Sequence, residues 1–205
     1  MSKQNQKQLG DAIREQGGLK KPSGNMNEIV YDKESGEFFV KEKGSTLNEG
    51  EEDVTEMTEK GFACMSPTRL AAEKRALGLY LPQNAFVFKE DEVEPYVLMA
   101  VKTNSGHLYT LRIDLGDFPN SIPDMMVTKM LLTKNGERMD NTSAKMHTLS
   151  AKHGYTRICH YGGNDWTPMV SIAKLYVRGR LWLEIYDGRH LKTGKPMDYY
   201  LKHAS

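Results

Sequence analysis

The sequence has little of what several common classes of protein need. It contains two cysteines in 205 residues, too few for the disulfide framework of a small secreted protein, which favours a reduced, cytosolic (cytoplasmic) setting. Its formal net charge is +1, so no overall field attracts nucleic acid or an anionic membrane surface, and we expect neither as a partner. No apolar run approaches the length of a membrane span, and the polar N-terminus lacks the apolar core of a signal peptide.

Two kinds of ligand site are also missing from the sequence pattern. The Gly162-Gly163 pair is not followed by the Gly-Lys-Ser/Thr of a phosphate-binding loop. The spacing of the histidines fits no compact zinc motif, and Cys64 has no cysteine close to it in sequence. We therefore expect no metal and no cofactor. The histidines considered as ligands are His147, His153, His160 and His190.

A change of composition near residue 62 divides the chain. Residues 1–62 carry few large apolar side chains, so they bury too little surface to offset chain entropy, and we expect an extension that is largely flexible. Within it, residues 28–41 place two short apolar stretches on either side of a polar turn, the pattern of a β-hairpin. A lone hairpin is only marginally stable, so this one is expected to pack on the main domain or on a partner. Residues 63–205 form the expected compact domain.

The compact domain starts with a helix and continues with strands. Ser66 can cap a helix that has Pro67 at its first position and stops at Gly78. Four strands with short connections follow, which favours an antiparallel meander. The strand candidates are residues 85–88, 96–101, 107–115 and 125–132. The helix residues expected to face the core are Leu70, Ala71 and Leu77.

The alternation of residues 107–115 is typical of a half-buried strand, with Tyr109, Leu111 and Ile113 on its core side. Residues 135–155 are polar and are predicted to be irregular. A last helix is capped by Ser171, has apolar residues at spacings of three and four, and ends at Gly188. The fold class is therefore α+β: a helix, a four-stranded antiparallel meander, a loop and a helix packed on the sheet.

Cys159 is the one residue whose surroundings suggest nucleophilic chemistry. It ends a short apolar approach, residues 154–158, and faces a Gly/Asn/Asp loop. Arg157, His153 and His160 are near in sequence and could favour the reactive thiolate. On pattern alone a buried structural cysteine is the commoner case. A cysteine hydrolase, which needs a histidine and a carboxylate or carboxamide around the thiol, also remains open.

The order of these features resembles the ubiquitin-conjugating enzymes over residues 66–187. Residues 69–75 resemble the family's first helix, and residues 118–123, with Phe-Pro followed by Ile-Pro, resemble its Tyr-Pro turn. Residues 154–159 are similar to its Gly-x-hydrophobic-Cys approach, and residues 166–168 match its Trp-x-Pro. The C-terminal segment is more similar to divergent prokaryotic members than to eukaryotic ones.

The resemblance implies an activity. Cys159 would accept the C-terminal glycine of a ubiquitin-like protein from an activating enzyme as a thioester, and would then transfer it to a lysine of a protein substrate. The basic residues of the first helix would meet the activating enzyme, although a solvated charged face is the plainer interpretation of this helix. Those residues are Arg69, Lys74 and Arg75.

The sequence departs from the family at the loop before the cysteine. His147-Thr148-Leu149 stands where the family has His-Pro-Asn, so His147 is a candidate site residue and leucine replaces the asparagine that supports the oxyanion. Asn164, His160 or backbone N–H groups could replace it. Asp187, or equally Asp165, could orient or deprotonate the incoming lysine. The departure also motivates an alternative, an inactive member of the family that acts as a binding module.

Overall fold

A computed structural model describes residues 26–41 and 65–201 of the protein. It is an α+β structure with one six-stranded antiparallel sheet and a separate two-stranded hairpin. The strands are β1 (Ile29–Tyr31), β2 (Phe38–Val40), β3 (Phe86–Lys89), β4 (Tyr96–Lys102), β5 (Leu108–Asp114), β6 (Met125–Val127), β7 (Thr148–Lys152) and β8 (Tyr155–Ile158). The α-helices are α1 (Pro67–Gly78), α2 (Ile172–Ile185) and the short α3 (Leu191–Thr193). Within the described ranges, none of the helices has the length and apolar character that a membrane crossing requires.

The predicted meander is present as β3, β4, β5 and β6, which are neighbours in sequence order. The sheet then continues through β8 to β7, so it has six strands where four were expected. These two strands lie in and just after the segment that was predicted to be irregular. Their turn is the pair His153 and Gly154, with φ of 54° and 77°, and two consecutive positive φ values are what a tight two-residue hairpin turn requires.

Helix α2 packs on the sheet face formed by Tyr109, Leu111 and Ile113. Gly179 makes this close approach possible, because a Cβ atom at that position would lie 2.5 Å from Leu111 Cδ2 and 2.9 Å from Met125 Sδ. Both neighbours are fully buried and have no room to move away. Glycine, which has no side chain, therefore occupies the position where the helix lies closest to the sheet.

The hairpin β1–β2 covers the opposite face of the sheet. The Phe38 backbone N–H donates a hydrogen bond of 3.2 Å to Thr110 Oγ1, and Asn84 Nδ2 donates one of 2.7 Å to the carbonyl oxygen of Ile29. Thr110 is only 2% exposed as a result. The expectation of a half-buried strand is thus wrong for β5, since a segment distant in sequence buries its second face.

The first helix begins as predicted but buries a different stripe. The Ser66 side chain accepts a hydrogen bond from the Arg69 backbone N–H, and Leu70 and Leu77 are buried. Ala71 is exposed, and Glu73 takes the buried position between the two leucines. The predicted spacing of three and four residues between core positions is present, but an acidic residue, Glu73, occupies one of these positions.

The last helix does not end at Gly188. The backbone continues through a π-helical turn, Tyr186–His190, into α3 and stops at Gly194, which has a φ of 74°. His190 fixes this turn: its Nδ1 donates to the Lys195 carbonyl oxygen at 2.8 Å, and its Nε2 accepts from the Lys134 backbone N–H at 3.2 Å. Both ring nitrogens are used in packing, which explains why a glycine at 188 does not terminate the helix.

The contact at Gly179 gives a stability prediction. Gly179→Ala should lower the free energy of unfolding by about 1–3 kcal/mol, since the added methyl group overpacks a filled core. The matched control is Gly188→Ala, because a Cβ atom there has nothing within 4 Å. Urea unfolding followed by circular dichroism measures both variants. Equal midpoints for the two variants would contradict the close approach.

Candidate functional site

Cys159 lies directly after β8, at the end of the sheet where β6 begins. Its backbone N–H donates a hydrogen bond of 2.8 Å to the carbonyl oxygen of His147, the residue just before β7. His147 is 6% exposed and has a φ of 53°, so its part in the site is a backbone contact that fixes the cysteine. The Cys159 side chain is half-buried, which leaves the sulfur partly open to a reactant.

The surroundings of the sulfur do not favour the thiolate. Burial raises the pKa of the Cys159 thiol, and among the described residues none forms a hydrogen bond or ion pair with the sulfur. The Arg157 guanidinium donates instead to Asp124 Oδ1 at 2.9 Å. His153, in the β7–β8 turn, has Nε2 4.0 Å from Asp114 Oδ2. Neither residue activates the thiol as the sequence suggested.

His160 positions the loop after the cysteine. Its Nε2 donates a hydrogen bond of 2.9 Å to the Pro123 carbonyl oxygen, and burial lowers its pKa to about 4, so the ring is neutral at physiological pH. Arg178 on α2 donates to the His160 carbonyl oxygen at 2.6 Å and lies 3.8 Å above the Tyr161 ring. The role of His160 is therefore structural, and its ring is unsuited to accept a proton from the sulfur.

The Phe-Pro turn and the Trp-x-Pro segment meet beside this loop. Trp166 Nε1 donates a hydrogen bond of 3.0 Å to the carbonyl oxygen of Pro119, which follows Phe118 through a cis peptide bond. The Trp166 ring lies 6.1 Å from the Phe118 ring and 5.4 Å from the Tyr161 ring. Asn164 is exposed in a 3₁₀ turn, Gly163–Asp165, between cysteine and tryptophan. Three segments that resemble family motifs thus converge around the cysteine.

The basic residues of α1 are mostly engaged within the protein. Arg69 donates to the carbonyl oxygens of Pro168 and Val170 at 3.0 and 2.9 Å. Lys74 forms an ion pair with Glu90. Arg75 is exposed. Of the three residues predicted to meet an activating enzyme, Arg69 is therefore a tether between α1 and the Trp-x-Pro segment.

Glu73 completes this tether and was missed by the sequence analysis. It is 2% exposed; its Oε1 accepts from Arg69 Nε at 2.7 Å, and its Oε2 accepts from the Ile172 backbone N–H at 2.7 Å. The carboxylate therefore satisfies a donor at the N-terminus of α2. The available signal was an acidic residue at the core-facing spacing between Leu70 and Leu77.

Asp187 does not belong to the cysteine site. Thr103 and His107, in the turn between β4 and β5, donate to its carboxylate, with 2.7 Å from His107 Nδ1. That turn and Cys159 lie at opposite ends of β5, whose seven residues span about 20 Å. The structure therefore places Asp187 away from Cys159, whereas Asp165, the other candidate for orienting lysine, lies in the loop after the cysteine.

One group of side chains in the described part of the chain has the spacing of metal ligands. Atoms of Glu94, Asp114 and His153 lie within 4.8 Å of one another. The Lys152 ammonium is 2.7 Å from Asp114 Oδ2 and 3.0 Å from Asp124 Oδ2. Because the Lys152 ammonium neutralises these carboxylates, we interpret the group as a set of ion pairs.

Comparisons with known proteins found no matching family model, no matching curated protein and no matching solved structure.

The raised pKa of Cys159 predicts how its reactivity depends on pH. In a Cys64→Ser background, the rate of alkylation by iodoacetamide should rise about tenfold per pH unit until the thiol is fully ionised. The plateau should come at a higher pH than for the same chain unfolded in urea, where the thiol has an ordinary pKa of about 8.5. A folded-state plateau at equal or lower pH would contradict the burial of the sulfur.

The tether predicts that Glu73 matters for stability. Glu73→Ala should cost about 2–4 kcal/mol of unfolding free energy, because it leaves the Ile172 N–H and Arg69 Nε–H without their acceptor. Glu90→Ala removes an ion pair in which Lys74 is 37% exposed and should cost at most about 1 kcal/mol. Thermal and urea unfolding test the pair, and similar losses for both variants would refute the tether.

Proposed function

We propose that this protein is a ubiquitin-conjugating-type acyltransferase that carries a ubiquitin-like protein as a thioester on Cys159. The observation that carries the proposal is the partly buried Cys159 at the meeting point of three separate segments. Backbone contacts hold Cys159 against His147, and side-chain hydrogen bonds attach the following loop to Pro123 and Pro119. Such a site combines a fixed backbone with an accessible sulfur, which is what a carrier of an extended peptide terminus needs.

The arrangement of elements supports the same proposal. Helix α1, the meander β3–β6 with the turn at 118–123 between β5 and β6, the cysteine loop and α2 follow one another in the order that the resemblance implies. The hairpin β7–β8 is an addition to the expected four strands, and it leads the chain into Cys159. The likeness rests on this order and on the motifs.

The proposed reaction has two acyl transfers. In the first, the Cys159 sulfur attacks the carbonyl carbon of the activating enzyme's thioester, a new C–S bond forms, and the enzyme's own thiolate leaves and takes up the proton. In the second, a lysine amine attacks the carbonyl carbon of the Cys159 thioester, a C–N isopeptide bond forms, the C–S bond breaks, and the Cys159 thiolate leaves and takes up the proton that the amine loses. Holding both reactants at the sulfur supplies much of the acceleration.

The raised pKa of the thiol fits the role of a carrier. A thiolate of higher pKa is a stronger nucleophile but a poorer leaving group. The loaded thioester should therefore hydrolyse slowly and persist until an amine attacks it. The cost is a small thiolate fraction at neutral pH, so loading depends on a general base or on proton transfer to the departing thiolate.

The oxyanion and the lysine need their own partners in this reaction. Leu149 lies in β7 opposite Arg157 and offers no polar group. The His160 ring already donates to Pro123, so we assign the oxyanion contact to Asn164, the exposed amide in the loop after the cysteine. Asp165, beside it, is assigned the lysine amine.

An inactive binding module is the second candidate, favoured because none of the described side chains forms a hydrogen bond or ion pair with the sulfur. A cysteine hydrolase has less support, because His160, the histidine next to the cysteine, is neutral and turned towards Pro123.

Reconstitution tests the proposal. The full chain is incubated with ATP, an activating enzyme and its ubiquitin-like protein, preferably those encoded by neighbouring genes, and resolved on a non-reducing gel. We expect an adduct that a reductant removes, that is absent in Cys159→Ala and that persists in the matched control Cys64→Ala. An adduct in Cys159→Ala would exclude the carrier role. No adduct with any cognate pair would favour the binding module, and ester cleavage without ATP would favour the hydrolase.

A further inference from the structure

A pocket lies about 20 Å from Cys159, at the opposite end of β5. It is formed by the turn between β4 and β5 and by the C-terminal part of the last helix. Its volume is about 560 Å³, within the range of about 300–1,000 Å³ that is usual for small-molecule sites. The lining residues are Asn104, Ser105, His107, Glu184, Gly188, Arg189 and Lys192.

A buried carboxylate orients the histidine of this pocket. Asp187 is 3% exposed; one of its oxygens accepts from Thr103 Oγ1 and the other from His107 Nδ1, the latter at 2.7 Å. The His107 side chain is itself 66% exposed. Because Nδ1 is held by Asp187, the opposite edge of the ring, with Nε2, is the edge presented to solvent and ligand. A fixed ring with one open nitrogen is the arrangement found where histidine binds ligands or moves protons.

The second buried carboxylate at this pocket, that of Glu184, has its partners within the protein. Glu184 accepts from the Asn104 backbone N–H at 3.0 and 2.9 Å through its two oxygens, and Arg180 lies 3.4 Å from one of them. The acid groups of the pocket thus have partners inside the protein. The other charged lining residues, Arg189 and Lys192, are both cationic and exposed.

A third cation lies at the rim. The Lys134 ammonium donates to the Lys192 carbonyl oxygen at 2.6 Å. Basic residues also favour the C-terminal end of any helix because of its dipole. The helix dipole explains the positions of Arg189 and Lys192, but it does not explain the oriented His107 ring or the pocket that these residues line.

We propose that this pocket binds the phosphate group of a small molecule, with His107 Nε2, Arg189 and Lys192 as its contacts. Arg189 and Lys192 can donate to the several acceptor oxygens of a phosphate, and His107 Nε2 also donates in the form of the ring that carries both protons, because Nδ1–H is already given to Asp187. Charge-assisted hydrogen bonds of this kind are the strong ones. The pocket has room for more than the phosphate itself, so a phosphomonoester such as a nucleoside monophosphate fits its size.

Binding to the full chain is tested by NMR of the histidine ring protons at pH 7.0 and constant ionic strength. Inorganic phosphate and adenosine 5′-monophosphate are titrated separately into the wild type and the variants His107→Gln and Lys192→Gln. The matched control is His153→Gln, which alters an exposed histidine at the other end of the sheet. Circular dichroism verifies that each variant is folded.

We expect a saturable shift of the His107 resonance in the wild type and in His153→Gln. Affinity, followed for His107→Gln by ligand phosphorus resonances, should fall about tenfold or more in both pocket variants. Tighter binding of the nucleotide than of phosphate would identify a phosphomonoester, and equal binding would identify free phosphate. The absence of a His107 shift at 50 mM of either probe, or unchanged affinity in both variants, would overturn the proposal.

Discussion

The close approach of helix α2 to the sheet is the constraint on which both sites depend. Gly179 allows the helix axis to come within side-chain contact of Leu111 and Met125, and side chains along the same helix then reach opposite ends of the sheet. From the middle of the helix, Arg178 holds the loop after Cys159; near its C-terminal end Glu184, and Asp187 in the turn that follows, hold the turn between β4 and β5. If a methyl group at position 179 pushed the helix away from the sheet, both sets of contacts would move together.

The cysteine site is built from backbone geometry, with little help from charge. The hydrogen bonds around it run to carbonyl oxygens: those of His147, Pro123 and Pro119. Such contacts fix the path of the chain but leave the sulfur in a setting that disfavours the thiolate. The physical consequence is a thiol that is held in place and weakly activated. Under the proposed function, that combination suits transfer between thioesters, where the bond formed and the bond broken are of the same kind, better than hydrolysis, which needs a strong base at the site.

The sequence predicted the features that depend on neighbours in the chain. Ser66 and Ser171 cap their helices because each can reach a backbone N–H three residues ahead, and the four strands of the meander follow from alternation and short turns. The features that failed depend on residues far apart. Thr110 is buried by a hairpin 72 residues away, Glu73 is buried because it meets Ile172 across 99 residues, and Asp187 follows a helix near the cysteine loop yet lies at the distant end of the sheet.

The errors in the site have the same origin. Local spacing placed Arg157, His153 and His160 near the sulfur, but Arg157 is turned to Asp124, His153 to Asp114 and His160 to the Pro123 carbonyl oxygen. A lone cysteine motif therefore gives the position of the nucleophile and says little about what activates it. Two cations beside the cysteine loop, Arg157 and Arg178, are already engaged with Asp124 and with the His160 carbonyl oxygen. Under the proposed function, activation of the sulfur would accordingly come from a group brought by a reactant, or from the proton-accepting thiolate of the partner thioester.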